Sequence, residues 1–100
     1  MNTENLNINT IHISGCLIDD AKYNRTKENQ VSVSNFKILN KRTYETKEGN
    51  WKIDYIEIGV VCWLKNAEES KGFKKGDWVY VEGYLKGTPL EIVAMSIQAQ

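Results

Sequence analysis

Segments in which apolar and polar residues alternate dominate this chain, and they constrain its fold more than any other feature. The longest covers residues 52–63, where Ile56, Ile58, Val60 and Cys62 form one consistent apolar set. Alternation with a period of two places successive side chains on opposite faces of a β-strand. We therefore expect a protein built from β-strands, and we predict that these four residues lie in its core.

Five such segments are predicted as strands, and a short helix separates the third from the fourth. The predicted strands cover residues 11–18, 31–40, 52–63, 78–86 and 90–97. Residues 21–30 are polar and predict a turn, and residues 41–50 predict the tip of a long hairpin. Residues 64–72 have helix-forming composition and end at Gly72, which is a common helix stop.

The order of these elements indicates a particular barrel. Gly15 interrupts the first strand, and a glycine inside a strand often marks a bulge or a bend at a barrel corner. The fold class that we predict is all-β: a five-stranded Greek-key OB-fold barrel with one short helix between strands 3 and 4. A chain of 100 residues is expected to form a single domain, with residues 1–8 as a flexible N-terminal segment.

The charge of the chain is unevenly distributed although its net value is zero. Residues 22–52 hold eight Lys and Arg against three Asp and Glu, a net charge of +5 that the other residues balance with −5. On charge alone, a solvated surface is the simpler interpretation of this basic segment. The chain has no apolar stretch of membrane-spanning length and no signal peptide at its start, so a cytoplasmic protein without membrane association is expected.

Residue types that carry catalysis or bind metals are sparse. His12 is the only histidine and is interpreted as a surface polar residue, and no Cys/His cluster has metal-ligand spacing. Asp19 and Asp20 are interpreted as a turn at a strand end, because neighbouring strand residues point to opposite faces. Cys16 and Cys62 are expected to be buried free thiols rather than a disulfide. No catalytic activity, metal or cofactor is predicted.

Aromatic residues lie in or beside the basic segment, and this combination is typical of nucleic-acid binding. Aromatic rings stack on bases with about 1–3 kcal/mol per base, and cationic side chains neutralise phosphates. The aromatic residues concerned are Tyr23, Tyr44, Trp51, Tyr55 and Trp63. The alternative is that such rings belong to a core or an interface, which suits Trp78 and Tyr80 better. Composition alone leaves both interpretations open.

Segments of residues 11–98 resemble, in order and spacing, the bacterial single-stranded DNA-binding protein family. The first four are Ile11-His12-Ile13-Ser14-Gly15, Lys22-Tyr23, Val33-Ser34-Asn35-Phe36-Lys37-Ile38 and Val60-Val61-Cys62-Trp63. The strongest is residues 75–83, which are similar to the family's Lys-Gly-x-x-Val-Tyr-(Val/Ile)-Glu-Gly. The resemblance implies non-catalytic, non-sequence-specific binding of single-stranded DNA, which protects it in replication, recombination or repair.

The resemblance also implies roles for individual residues. Tyr44 and Trp63 fall at base-stacking positions, and Tyr55 is expected to substitute at a third, which aligns with Glu57. Trp51 is a further candidate for stacking. The phosphate contacts are expected from Lys37, Lys41, Arg42 and Lys52. Phe36 and Ile38 match core positions of the family.

A homo-oligomer, dimer or tetramer, is implied as well, with the first strand or the face of Trp78 and Tyr80 as the contact. Gly87-Thr88-Pro89 replaces the long final hairpin that carries further DNA contacts in the family, so weaker binding than is typical is expected. The family's acidic tail has no counterpart before Gln100, which puts in doubt the recruitment of replication proteins such as a helicase or polymerase.

Two other functions stay open at this point. One is an OB-fold protein-interaction module, such as a primosome-type accessory subunit with weak affinity for single strands. The other is a small catalytic or RNA-processing domain.

Overall fold

The computed structural model describes residues 5–100, which form six β-strands and one α-helix. In chain order these are β1 Ile11–Leu17, β2 Lys22–Arg25, β3 Ser32–Glu45, β4 Trp51–Trp63, α1 Lys65–Ser70, β5 Trp78–Lys86 and β6 Glu91–Ala99. The strand order is β1-β5-β6-β4-β3-β2, and an additional β1–β3 pairing closes five strands into a barrel. The predicted OB-fold class is thereby confirmed.

The flexible segment predicted over residues 1–8 begins outside the described residues. Residues 5–8 are exposed and belong to no helix or strand. The described chain is first fixed at Asn9, whose side-chain oxygen accepts a hydrogen bond from the Leu85 N–H at 2.9 Å, and whose amide donates to the Leu85 carbonyl at 2.7 Å. These bonds continue the β1–β5 register by two further residues.

β1 changes partners near Gly15, where the barrel closes. β1 pairs antiparallel with β5 from Ile11 to Cys16, and with β3 at Cys16 and Leu17. A Cβ atom on Gly15 would overlap the carbonyl oxygen of Leu39 in β3, so the closing strands approach too closely for any other residue. The predicted barrel corner lies at this point.

The core is formed by the inward faces of the barrel strands. Its fully buried side chains include Leu17, Ile38, Val60, Cys62, Val79, Val81 and Ile92. Burial of each large aliphatic side chain contributes about 1.5–3 kcal/mol. Phe36 and Ile38 are core residues, as predicted. The prediction is wrong for Ile56, which is 48% exposed, because β4 pairs with β6 only at Gly59–Val61 and runs beyond the barrel before that point.

Two predicted loops are shorter than expected. β2 occupies residues 22–25, which were predicted as part of a turn, and pairs with β3 at the barrel edge. Its polar, exposed residues lack the alternation that identifies the other strands. Tyr23 is half-buried here because its ring packs against the core, and its hydroxyl donates to Glu68 at 2.9 Å while the Lys71 ammonium lies 4.6 Å from its ring centre. The predicted hairpin tip of residues 41–50 shortens to residues 46–50.

A bulge interrupts the β5–β6 ladder at Met95. Glu82 pairs with Ser96, and the next residue, Gly83, pairs with Ala94, which leaves Met95 unmatched. The residues of β6 that face the core therefore shift by one position at the bulge. Met95 itself is 68% exposed. A regular alternation could not predict this change.

Both cysteines are free thiols. Cys62 is fully buried as expected, whereas Cys16 is only partly buried, so the expectation is wrong for that residue. Burial raises the pKa of the Cys62 thiol to about 11, against the opposing hydrogen bond with Ser70, and the nearby Glu69 charge adds to the increase.

Across residues 5–100, the helical structure includes nothing long and apolar enough to cross a bilayer.

Candidate nucleic-acid interface

The β3–β4 ladder extends well beyond the barrel. Its register is continuous from the Val33–Trp63 pair to the Glu45–Trp51 pair. The radius of gyration is 16.4 Å, against about 13 Å expected for a compact domain of this length. The first seven residues of β4 are all exposed, so this half of the strand presents both of its faces to solvent.

One face of this ladder, here called the outer face, carries most of the predicted site. Along β4 it consists of Trp51, Ile53, Tyr55, Glu57, Gly59, Val61 and Trp63, which share one parity. Trp51 is 70% exposed, Tyr55 63% and Trp63 42%. On β3, Lys41 lies directly opposite Tyr55, and Lys37 lies directly opposite Gly59. Three exposed rings and two lysines thus share one surface.

The opposite face of the ladder carries the other three predicted residues, Tyr44, Arg42 and Lys52. Lys52 lies directly across from Tyr44, and the Arg42 guanidinium lies 5.3 Å from the centre of the Tyr44 ring. Arg42 also contacts Asp54, with 3.3 Å between Nη2 and Oδ2. Tyr44 and Trp63 are separated by about 37 Å along the ladder. The eight predicted residues consequently form two groups rather than the single row that was expected.

The charge of the two groups differs. Among residues 5–100, neither Lys37 nor Lys41 takes part in an ion pair, so both charges are available on the outer face. Arg42 already shares its charge with Asp54, an exposed contact of the kind that contributes at most about 1 kcal/mol. The outer face also holds Glu57, opposite Leu39, whose carboxylate opposes phosphate binding in the middle of the surface.

The outer face opens into a cleft of about 330 Å³ beside Gly59. The charged residues that line it are Asp19, Asp20, Lys22, Lys37 and Glu91. Glu91 pairs with Gly59 across the parallel β4–β6 contact, and a Cβ atom on Gly59 would lie 3.8 Å from the Glu91 Cβ. Lys22 belongs to the basic segment and to the Lys22-Tyr23 resemblance but not to the predicted phosphate contacts, and the structure brings it to this edge of the outer face.

Trp63 has a cleft on each side. One, of about 460 Å³, lies against the β2–β3 loop and includes Lys27 and Glu28. The other, of about 510 Å³, is lined by Leu64, Lys65 and Met95 among others. Sequence reasoning did not single out Leu64 or Met95. It also missed Ile53, which is 54% exposed and has the same parity as Trp51 and Tyr55.

The described part of the chain contains no group of three or more His, Cys, Asp or Glu side chains that could hold a metal ion. The rings, lysines and clefts of the outer face are instead suited to a ligand with flat, stackable groups and negative charge.

Comparisons with known proteins agree on one family. Residues 8–91 match the model of the Single-strand binding protein family. Single-stranded DNA-binding protein 2 of Chlorobaculum tepidum is 32% identical over 80 residues, which are 79% of this chain and 54% of that protein. The chain therefore spans about half the length of this curated relative.

Solved structures share the fold at low sequence identity. A single-stranded DNA-binding protein of Plasmodium falciparum, solved in complex with single-stranded DNA, has a TM-score of 0.78 and 18% identity, with 100% of this chain and 99% of that chain covered. The wild-type protein from Thermus aquaticus has a TM-score of 0.80 and 16% identity, with coverage of 93% and 50%. At this identity the likeness shows the fold.

Proposed function

The chain belongs to the Single-strand binding protein family, and we propose that it binds single-stranded DNA without sequence preference and has no catalytic role. Bases stack on exposed rings and lysines contact phosphates, so that the strand is protected during replication, recombination or repair. The observation that carries this proposal is the outer face, where Trp63 and Tyr55 are exposed on one side of β4 with Lys37 and Lys41 beside them. The relative from Chlorobaculum tepidum, which is named for the same binding, supports it.

In this proposal the single-stranded DNA follows the outer face of the β3–β4 ladder. It stacks on Trp63, passes Gly59 and Lys37, and stacks again on Tyr55 beside Lys41. Because Gly59 has no side chain, the sugar-phosphate backbone of the DNA can approach the sheet at this position. Stacking suits any sequence, since every base has a π-face. Glu57 and, beside Gly59, Glu91 are the exceptions on this path, and their carboxylates favour a base rather than a phosphate at those steps.

The opposite face forms a second, weaker part of the site. Tyr44, Arg42 and Lys52 contact the strand only where it turns around the end of the hairpin, together with Trp51. The ring of Tyr44 is partly covered by Arg42, so a base must displace the guanidinium or stack on its outer side. We therefore assign the larger share of the binding energy to the outer face.

The test is the binding of a labelled oligo-dT, followed by fluorescence anisotropy at two salt concentrations. The double variant Trp63→Ala/Tyr55→Ala should weaken binding by at least about 30-fold, since each lost stacking contact costs about 1–3 kcal/mol. Tyr84→Ala is the matched control, because Tyr84 is 36% exposed on β5, away from the outer face. Equal binding by the double variant and the wild type would contradict the proposal.

Salt dependence tests the phosphate contacts separately. Lys37→Gln and Lys41→Gln should each reduce the slope of log K against log salt by about 0.7, the value for one phosphate contact on a single strand. Lys86→Gln, an exposed lysine at the end of β5, should leave the slope unchanged. A protein-interaction module would show neither the affinity nor the slope.

The proposal includes a homo-oligomer, a dimer or tetramer. Within the described residues, Ile11–Ile13 of β1 has β5 as its only neighbouring strand, so one edge of this segment is open. Open strand edges readily pair with another chain. Trp78 and Tyr80 lie on the outside of the same β1–β5 pair and offer an alternative contact. Size-exclusion chromatography with light scattering measures the oligomeric state. A monomer in solution would contradict this part of the proposal.

A cytoplasmic location is part of the same proposal and is supported by the two free thiols, which suit a reducing compartment. Replication proteins such as a helicase or polymerase are the partners that this role calls for. Co-purification of the protein with such enzymes on single-stranded DNA tests this point.

A further inference from the structure

Two irregularities of the backbone meet beside Trp63, and each exposes a large apolar side chain. The first is Leu64, which follows Trp63 and has φ 55° and ψ −121°. The second is the bulge that leaves Met95 unmatched in the β5–β6 ladder. Leu64 is 62% exposed and Met95 68%, and both line the cleft of about 510 Å³ on one side of Trp63. We call this the Leu64–Met95 cleft.

The surrounding structure forces the conformation of Leu64. Its N–H donates to the Ser32 carbonyl at 3.0 Å, and its own carbonyl accepts the Ser32 hydroxyl at 3.3 Å and the Glu68 N–H at 3.0 Å. Three hydrogen bonds therefore fix a positive φ that glycine adopts readily and leucine does not. Strained residues of this kind persist only where neighbouring contacts determine them, and they are concentrated at functional sites.

Burial does not explain the leucine at this position. Most of the Leu64 side chain is exposed to solvent, so it adds little to the core. Glycine would make the same backbone hydrogen bonds with less strain. The side chain therefore needs a role outside the folding of this chain.

The bulge at Met95 is fixed as firmly as the conformation of Leu64. A Cβ atom on Gly83 would overlap the Val93 carbonyl oxygen, so the close approach of β5 and β6 depends on that glycine. The Asn66 side chain donates to the Ala94 carbonyl at 3.3 Å and holds the start of α1 against the bulge. A bulge redirects one side chain, here that of Met95 toward the cleft.

We propose that the Leu64–Met95 cleft holds the nucleotide that follows the base stacked on Trp63. This inference rests on the proposed binding of single-stranded DNA and extends its path past the end of β4. Trp63 lines the cleft itself, so the strand reaches it without leaving the protein surface. Lys65 and Glu69 also line the cleft and offset each other in charge, so the contact is with the apolar face of the base or sugar.

The test combines affinity, salt dependence and stability. Leu64→Gly should raise the Kd for a labelled oligo-dT about five- to tenfold, as expected for the loss of a partly buried leucine contact. The same variant should raise the midpoint of thermal unfolding, because the positive φ no longer carries a side chain. Met95→Ser should weaken binding to a similar degree with the fold retained by circular dichroism. Neither variant should change the salt slope, since no phosphate contact is removed.

Leu90→Gly is the matched control, because Leu90 is 59% exposed in the β5–β6 turn and should not affect binding. If Leu64→Gly and Met95→Ser bind as the wild type does while Trp63→Ala/Tyr55→Ala loses binding, the cleft is not occupied by DNA and this inference is overturned, although the proposed function stands. A cleft that serves a protein partner would give this result. If the Trp63→Ala/Tyr55→Ala variant also binds normally, both proposals fail.

Discussion

Tyr55 lies directly opposite Lys41 in the β3–β4 ladder, which places an exposed ring and a lysine side by side on the outer face. Tyr55 occupies a site two residues from Glu57, where the family resemblance had placed a stacking residue. Tyr55 and Glu57 lie on the same face of β4 as Trp63, so we expect the ring of Tyr55 to take the place of the missing aromatic.

Replacing Tyr55 with alanine should weaken binding of oligo-dT about 5- to 150-fold, because one stacked base loses about 1–3 kcal/mol. Tyr84→Ala, at an exposed tyrosine on β5, is the control and should bind normally. Anisotropy titrations of both variants under identical salt check this expectation. Equal losses in the two variants would show that Tyr55 has no particular role.

We expect Asp54 to compete with DNA for Arg42. The two side chains are in contact at 3.3 Å, and both are more than half exposed. Asp54→Asn should tighten binding severalfold and steepen the salt slope, because it removes an anion and frees the guanidinium for a phosphate. The double variant Arg42→Ala/Asp54→Asn should lose most of this gain. Unchanged binding by Asp54→Asn would place the DNA away from this face of the hairpin.

Gly15 determines whether the barrel can close. Gly15→Ala should lower the free energy of unfolding by at least about 2 kcal/mol, because the added methyl group overlaps the Leu39 carbonyl oxygen. Gly72→Ala should change it by less than about 1 kcal/mol, since nothing lies within 4 Å of the added carbon. Urea unfolding of the two variants measures the difference. Similar stabilities would mean that β1 and β3 are less closely apposed.

Because of Cys62, the free energy of unfolding should decrease with pH in the alkaline range. Burial raises its pKa from 9.0 to about 11, so the folded protein keeps the proton that the unfolded chain loses. This contribution is fully present below about pH 9 and is lost as the pH rises toward about 11. The loss should be on the order of 2–3 kcal/mol. The difference in unfolding free energy between the wild type and Cys62→Ala, measured across this range, should shrink accordingly, and a constant difference would contradict the assignment.

The barrel was predictable from the sequence because its strands have one buried face. Val60 and Cys62 are buried, Ile58 is partly buried against the core, and Gly15 marks the closing corner. Apolar and polar residues do not alternate in a strand that has no buried face. The polar strand Lys22–Arg25 and the hairpin beyond Ile56 lie outside the barrel, so their residues carry no such pattern.

The sequence predicts exposed rings and lysines on β3 and β4, but not how the structure groups them. Tyr44 and Trp63 were expected in one row, yet an unbroken register over β3 and β4 places them on opposite faces. The strand before the hairpin, which helps to determine this register, was predicted to end at residue 40 but extends to Glu45. Leu64 and Met95 were missed because a positive φ at leucine and a bulge leave no signal in hydrophobic alternation.

The most direct test of the outer face is photo-crosslinking of bromodeoxyuridine-substituted single-stranded DNA, followed by trypsin digestion and mass spectrometry. Cleavage after Lys52 and Lys65 releases residues 53–65, which contain Tyr55 and Trp63, and cleavage after Lys75 and Lys86 releases residues 76–86 with Trp78. The crosslinked DNA should be attached to residues 53–65. Crosslinks confined to residues 76–86 would place the DNA on the β5 side of the barrel and contradict the account.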